Sequence, residues 1–244
     1  MRVETEAKAR ALDFQSRACT AEWMDADDID YDTFRGCLVD LAKVNRWTLA
    51  YRPTLGFLNR LHRGRLWPQG RPLTILDIGS GQGDMLRVIR RWAERRGLGV
   101  ALTGLDRNPW SARAAAEARG SEGIAWLSED LFDHRGGADV IISSLFAHHL
   151  DDAGLVRFLE WQEVNARIGW FVNDLLRHPF SYHGFGLLAG VMRWHPFVRH
   201  DGPVSISRAF RPDDWRRLLA AAAVRDARIE RWFPFRLCVS KVRA

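Results

Sequence analysis

From Leu73 to Asn173, short β-like runs alternate with helix-forming segments, and this alternation constrains the fold more than any other feature of the sequence. The runs are Leu73 to Ile78, Ala101 to Leu105, Ala125 to Leu127, Val140 to Ser143 and Gly169 to Asn173. Between them, Met85 to Arg96, Trp110 to Ala118 and Ala153 to Ala166 carry helix formers and few glycines. Parallel strands need crossovers, and helices supply them, so the pattern predicts an α/β fold with a parallel sheet covered on both faces. Two later runs, Ala227 to Phe233 and Phe235 to Val242, hinged at Pro234, read as a hairpin-like edge.

Outside that region the periodicity changes. Phe34, Leu38, Leu41 and Val44, then Leu55, Leu58 and Leu61, recur at three- and four-residue steps, which predicts helices. The punctuated link Trp67-Pro68-Gln69-Gly70-Arg71-Pro72 ends this zone. The reading is therefore an N-terminal helical cap over 1–70 and a ligand-binding domain over 71–244. Within the latter, 178–208 is an aromatic stretch (Phe180, Tyr182, Phe185, Trp194, Phe197) expected to act as a lid-like insertion. A helix follows with Pro212 in its first turn, where a missing N–H does no harm.

A chain of 244 residues can bury a large core without disulfides. Cys19, Cys37 and Cys238 are odd in number and lack CxxC spacing, so they read as reduced thiols in a cytoplasmic protein rather than as a zinc site, and no metal is expected. The N-terminus mixes both charge signs without the apolar centre of a secretory signal. Phe185 to Met192 is far shorter than the roughly 20 residues a spanning helix needs. The net charge of +6 comes almost wholly from arginine, Lys8, Lys43 and Lys241 being the only lysines. The arginines are scattered instead of blocked, which favours a solvated surface or an anionic small ligand over nucleic acid.

The stretch Ile75-Leu76-Asp77-Ile78-Gly79-Ser80-Gly81-Gln82-Gly83-Asp84-Met85 places three glycines in five positions between a strand and a helix. Glycines there permit positive φ and close approach to main-chain atoms, and the helix N-terminus behind them offers free N–H groups. The dinucleotide spacing GxGxxG is not met: Asp84 stands where its third glycine would be, and a carboxylate suits a diphosphate badly. Asp77, at the strand end, suits a cationic, amino-acid-like ligand instead.

The motif Asp77-Ile78-Gly79-Ser80-Gly81-Gln82-Gly83-Asp84 resembles the first motif of class I S-adenosylmethionine (SAM)-dependent methyltransferases, and the resemblance extends over about Leu73 to Asn173. It implies a Rossmann-like, mostly parallel seven-stranded sheet and SAM as cofactor. By that resemblance Asp77, Gly79, Ser80, Gly81 and Gly83 cradle the methionine part. Asp106, followed by Arg107, meets the ribose hydroxyls; Asp130 and Leu131 flank the adenine; Ser144 lies beside the sulfonium.

Ser143-Ser144-Leu145-Phe146-Ala147-His148-His149-Leu150-Asp151-Asp152, after the fourth strand, resembles the acceptor end of small-molecule members of that family. Methyl transfer is an in-line displacement, so the protein must align the acceptor and allow its oxygen to ionise. His148 and His149 are the candidate bases, with His148 favoured. Phe146, Asp174, His178, Tyr182, His200 and Arg208 are candidates for the substrate side. Trp23-Met24-Asp25, Leu41 to Trp47, Asn173 to His178 and His200 to Arg208 resemble a bacterial subgroup acting on phenolic or polyketide-type natural products. The expected reaction is O-methylation of a small aromatic or polyketide-like hydroxyl. C- or N-methylation, nucleic-acid methylation and cofactor binding without catalysis are the alternatives. No Asn/Asp-Pro-Pro-aromatic motif and no Pro-Cys nucleophile is present, which disfavours adenine N6 and cytosine C5 chemistry.

Overall fold

The computed structural model describes residues 14–26 and 29–243. Seven strands form one sheet: β1 (Leu73–Ile78), β2 (Val100–Asp106), β3 (Ile124–Ser128), β4 (Ala138–Ser144), β5 (Ala166–Leu175), β6 (Arg228–Trp232) and β7 (Arg236–Val242). Their order is β3-β2-β1-β4-β5-β7-β6. The first five run parallel, and β7 is antiparallel to both of its neighbours. Every strand read from the sequence is present, within three residues at each end.

Side-chain alternation along the strands builds two cores. Leu76 and Ile78 of β1, Ile141 of β4 and Val172 of β5 face one side. They pack under Phe158 and Leu159 of α5 (Asp152–Asn165) and Trp215 and Leu218 of α8 (Pro212–Ala221). Leu73, Ile75, Val140, Ile142 and Phe171 face the other, under α2 (Tyr51–Arg63) and α3 (Asp84–Glu94). Strands covered on both faces read as near-continuous apolar runs, as Val140-Ile141-Ile142 does. Phe57 of α2 stacks on Phe171, ring centroids 4.9 Å apart. Residues 51–63, assigned from the sequence to the cap, thus belong to the main core. Among the described residues, α1 (Tyr31–Trp47) adds nothing to either core and packs instead in separate clusters, one of which also takes in Met24 of the short 3₁₀ turn Trp23–Asp25.

The aromatic stretch is a pair of helices, α6 (Pro179–Val191) and α7 (Pro196–Arg208), each opened by proline at its first position. His178 and His195 cap them by accepting from the N–H groups of Phe180 (3.2 Å) and Phe197 (3.3 Å). Leu41 and Val44 of α1 pack against Phe185, Ala189, Trp194 and Val198, so cap and insertion share one apolar layer. Among the described residues no helix is long and apolar enough to cross a membrane.

Candidate functional site

Strand order reverses between β1 and β4, because β2 and β3 lie on one side of β1 while β4 and β5 lie on the other. Loops leaving the carboxyl ends of such strands diverge and open a crevice. Here a cavity of about 1150 Å³ fills it, roofed by α1, α6 and α7.

The glycine loop forms the floor. Gly79, Gly81 and Gly83 all have positive φ (67°, 51° and 71°). Gly79, Ser80 and Gly81 line the cavity, whereas Gly83 does not. Gly83, expected to cradle the ligand, is instead the N-cap of α3 under Trp126, whose ring would stand 2.0 Å from an added Cβ. Gly83→Ala is therefore expected to cost about 2–4 kcal/mol through left-handed strain plus overpacking. Thermal melts should show Tm falling by roughly 4–16 °C. A melt within a degree of wild type would show that the Trp126 ring yields.

Asp77 ends β1 with 2% of its surface exposed, and its Oδ1 is buried without a hydrogen-bond partner. Burial, reinforced by the Asp84 and Asp106 carboxylates, pushes its carboxyl well above the usual range. Asp106 ends β2 and ties the floor together: its Oδ2 accepts from Gly81 N–H (2.8 Å) and its Oδ1 from Asn108 N–H (2.9 Å). Burial raises its pKa, and these two N–H groups pull it back. Arg107, Asp130, Leu131 and Ser144 also line the cavity. Asp130 caps its own turn, accepting from Phe132 N–H at 2.8 Å.

Asp84 takes a part that the sequence did not show. Its Oδ2 accepts from Tyr51 Oη (2.7 Å) and Asn45 Nδ2 (3.1 Å), and Gln82 Nε2 donates to the Leu38 carbonyl (2.6 Å). These bonds hold α1 over the glycine loop. The carboxylate that disfavours a diphosphate is thus also a fastener between floor and roof.

At the other end, a 3₁₀ turn (Ala147–His149) follows β4 directly. His148 Nδ1 meets Asp174 Oδ1 at 2.8 Å, and its Nε2 lies 3.5 Å from Glu22 Oε1. Burial opposes charge on this ring, but Asp174 and Glu22 outweigh it and push the pKa up to about 9. Carboxylates thus hold both ring nitrogens of the buried His148, an arrangement that favours its charged form over a free base. His149 Nδ1 lies 3.2 Å from Asp25 Oδ1, and its Nε2 lies 3.9 Å from Glu22 Oε2.

Of the residues expected on the substrate side, only Phe146 lines the cavity, together with both histidines. Asp174 is fully buried behind His148 and accepts from the His148 and Leu175 N–H groups as well. His178 caps α6 and borders a separate hollow with Arg177 and Arg231. Tyr182 packs edge-on against Phe14, and His200 stacks on Trp23 with centroids 3.8 Å apart. Arg208 binds the His148 and His149 carbonyls and Asp25 (3.1 Å), fixing the histidine turn from behind. None of these five lines the cavity. Glu22, Asp25, Tyr51 and Arg236 do line it without a local signal in the sequence: nothing around Trp23-Met24-Asp25 shows that this segment folds over the histidine turn.

No family model and no curated protein sequence matches the chain. Solved structures do. The plantazolicin methyltransferase BpumL, in complex with a monoazolic desmethylPZN analog and SAH, aligns with a TM-score of 0.53 at 17% identity, over 87% of this chain and 88% of that one. The magnesium protoporphyrin IX methyltransferase ChlM from Synechocystis PCC 6803, with bound SAM, aligns with a TM-score of 0.52 at 14% identity, over 91% and 88%. The chain has the class I methyltransferase fold.

Proposed function

We propose that this protein is a SAM-dependent methyltransferase acting on a hydroxyl of a small, largely apolar acceptor, with an aromatic or polyketide-like molecule as the best fit. The observation that carries the cofactor reading is the orphaned Oδ1 of Asp77, a buried acceptor at the switch point beside a bare-backbone loop. A buried polar atom without a partner costs about 1–3 kcal/mol, which an ammonium donor at that point would recover. SAM fits the remaining wall. Backbone groups of Gly79 to Gly81 would hold its methionine part, Asp106 its ribose, and Asp130 with Leu131 its adenine. SAM would supply a methyl group on a positive sulfur. BpumL and ChlM, which share the fold, are named for methyl transfer to small molecules, which supports the same class here.

The acceptor reading rests on the roof. Phe180, Leu188 and Phe235 line the cavity and are themselves exposed, which makes an apolar rim; Leu38, Leu41, Phe146, Val198 and Ile206 continue it inward. Pockets of this kind take apolar ligands oriented by a few polar groups. Here Glu22, His148 and His149 provide that polar end. His149, partly exposed, inherits the base role that the buried His148 cannot fill. We also assign the protein to a reduced, cytoplasmic setting on its free cysteines, two of them buried.

Isothermal calorimetry of the purified chain with SAM, SAH and NAD tests the cofactor. Micromolar binding of SAM and SAH without NAD binding is expected; NAD binding alone would overturn the reading. A panel of phenols assayed with methyl-labelled SAM tests the acceptor class. Label recovered only in amines or nucleic acid would remove it.

A further inference from the structure

We propose that Glu22, His148 and His149 form a binding site for one divalent transition-metal ion, Zn²⁺ by its chemistry, at the polar end of the cavity. Each of the three residues offers one ligand atom, a carboxylate oxygen or an imidazole nitrogen, all within 4.8 Å of one another, and all three residues line the cavity. Two ligands each about 2.1 Å from a tetrahedral ion lie roughly 3.4 Å apart. His148 Nε2 lies 3.5 Å from Glu22 Oε1 and His149 Nε2 lies 3.9 Å from Glu22 Oε2, so each imidazole faces its own carboxylate oxygen at a separation close to that spacing and long for a direct hydrogen bond.

The surrounding shell points the same way. Both histidines turn Nδ1 toward a carboxylate, Asp174 for His148 (2.8 Å) and Asp25 for His149 (3.2 Å), and both turn Nε2 toward Glu22. A carboxylate on the far nitrogen is the usual support of a metal-binding histidine, because it fixes the tautomer that leaves Nε2 free to coordinate. The backs of both residues are pinned by Arg208, which accepts no freedom in the turn: its Nε and Nη2 donate to the His148 and His149 carbonyls at 3.2 and 3.1 Å. Imidazole with one carboxylate suits zinc rather than magnesium or calcium. The ion would be held between Glu22 and the two histidines at the cavity wall, leaving room on the cavity side for an acceptor.

This deepens the methyltransferase reading and, in its use, rests on it. There the ion would lower the pKa of an acceptor hydroxyl, whose proton would pass to solvent; the oxygen would then bond to the methyl carbon as the carbon–sulfur bond breaks, its electron pair remaining on sulfur. With the ion bound, His149 is a ligand rather than the base, and the ion would take over the task of favouring the acceptor oxygen's ionised form.

The test is titration of the chelator-treated full chain with Co²⁺, read by its visible ligand-field absorption, and with Zn²⁺ in competition. One ion per chain with tetrahedral-type intensity is expected. Glu22→Gln and His149→Ala should each weaken Co²⁺ binding about 100-fold or more, and Asp25→Asn about 10-fold, by loss of a ligand or of its supporting carboxylate. Each variant's fold is checked by circular dichroism, which should match wild type. No absorption band, or a band unchanged in Glu22→Gln and His149→Ala, would overturn the site. Co²⁺ bound with these properties by a chain that does not bind SAM keeps the ion site and removes only its assigned use.

Discussion

Asp77→Asn is expected to weaken SAM binding about 10- to 100-fold while raising the melting temperature of the ligand-free protein. Both effects come from one buried carboxylate whose Oδ1 has no partner in the protein itself. With an ammonium group opposite, the carboxylate gives a charge-assisted hydrogen bond of about 1.5–3 kcal/mol, and its loss accounts for the fall in affinity. Without the ligand, the same carboxylate is only a cost. Replacing it with a neutral amide of equal size should stabilise the protein by about 1 kcal/mol, or roughly 2–4 °C in Tm.

The pH dependence follows from the raised pKa of Asp77. Because the folded value lies above the unfolded one, the protonated carboxyl stabilises the ligand-free fold fully below the unfolded pKa. That contribution is lost as pH rises through the folded value. The melting-temperature gap between wild type and Asp77→Asn should therefore be widest at neutral pH and close on acidification. SAM binding by wild type should weaken over the same acid range, since it requires the ionised form, while the residual binding of Asp77→Asn stays flat. Equal SAM affinity in the two proteins at neutral pH would sink the assignment of Asp77 to the cofactor's amino end.

The strands and the glycine loop were legible because their causes are local. Val140-Ile141-Ile142 must be covered on both faces, and Asp77, Gly79 and Gly81 sit where a parallel strand hands over to a helix. Even so, local reasoning cannot tell a glycine kept for a ligand from one kept for a neighbour. Gly83 belongs to Trp126, which lies more than forty positions downstream and meets it only once β3 pairs with β2. The helices of 178–208 escaped for a related reason. Glycines at 184, 186 and 190 weaken helix propensity, and prolines at 179, 196 and 203 read as loop punctuation, although the first two stand where a helix begins.

The polar end of the cavity was half legible. His148 and His149 could be placed after β4, but the partners that decide their protonation arrive from far away: Asp174 from β5, and Glu22 and Asp25 from the segment before α1. Whether a histidine is a base, a cation or a ligand depends on such partners, and sequence separation hides them. Asp174 and Arg208 illustrate the opposite displacement. Both read as substrate-facing and both stand behind the histidine turn, where they orient the residues that do face the cavity.

Asp139→Ala should lower stability by about 3 kcal/mol and Tm by roughly 6–12 °C, although the residue lies away from the cavity at the amino end of β4. Its carboxylate has no exposed surface and accepts from five donors. Arg71 Nη1 and Nη2 donate at 2.5 and 3.0 Å, Arg167 Nε at 2.9 Å, and Thr74 N–H and Oγ1 at 2.9 and 3.0 Å. One side chain thereby fastens the start of β1 to β4 and β5, the three strands whose far ends carry Asp77, the histidine turn and Asp174. The two arginines are half exposed and can be rehydrated, so the loss should fall at the low end of what breaking a buried pair costs. Burial raises the Asp139 pKa, but the arginines and Thr74 overcome it and hold the carboxyl well below the usual range. A lowered folded pKa means that the stabilisation is present above the unfolded value and is lost as pH falls through the folded one. Wild type should accordingly lose stability more steeply than Asp139→Ala below about pH 4, and the two melting curves should converge toward strong acid. Parallel curves from neutral pH down to pH 2 would show that the network contributes packing alone and that charge has no part in holding the three strands in register.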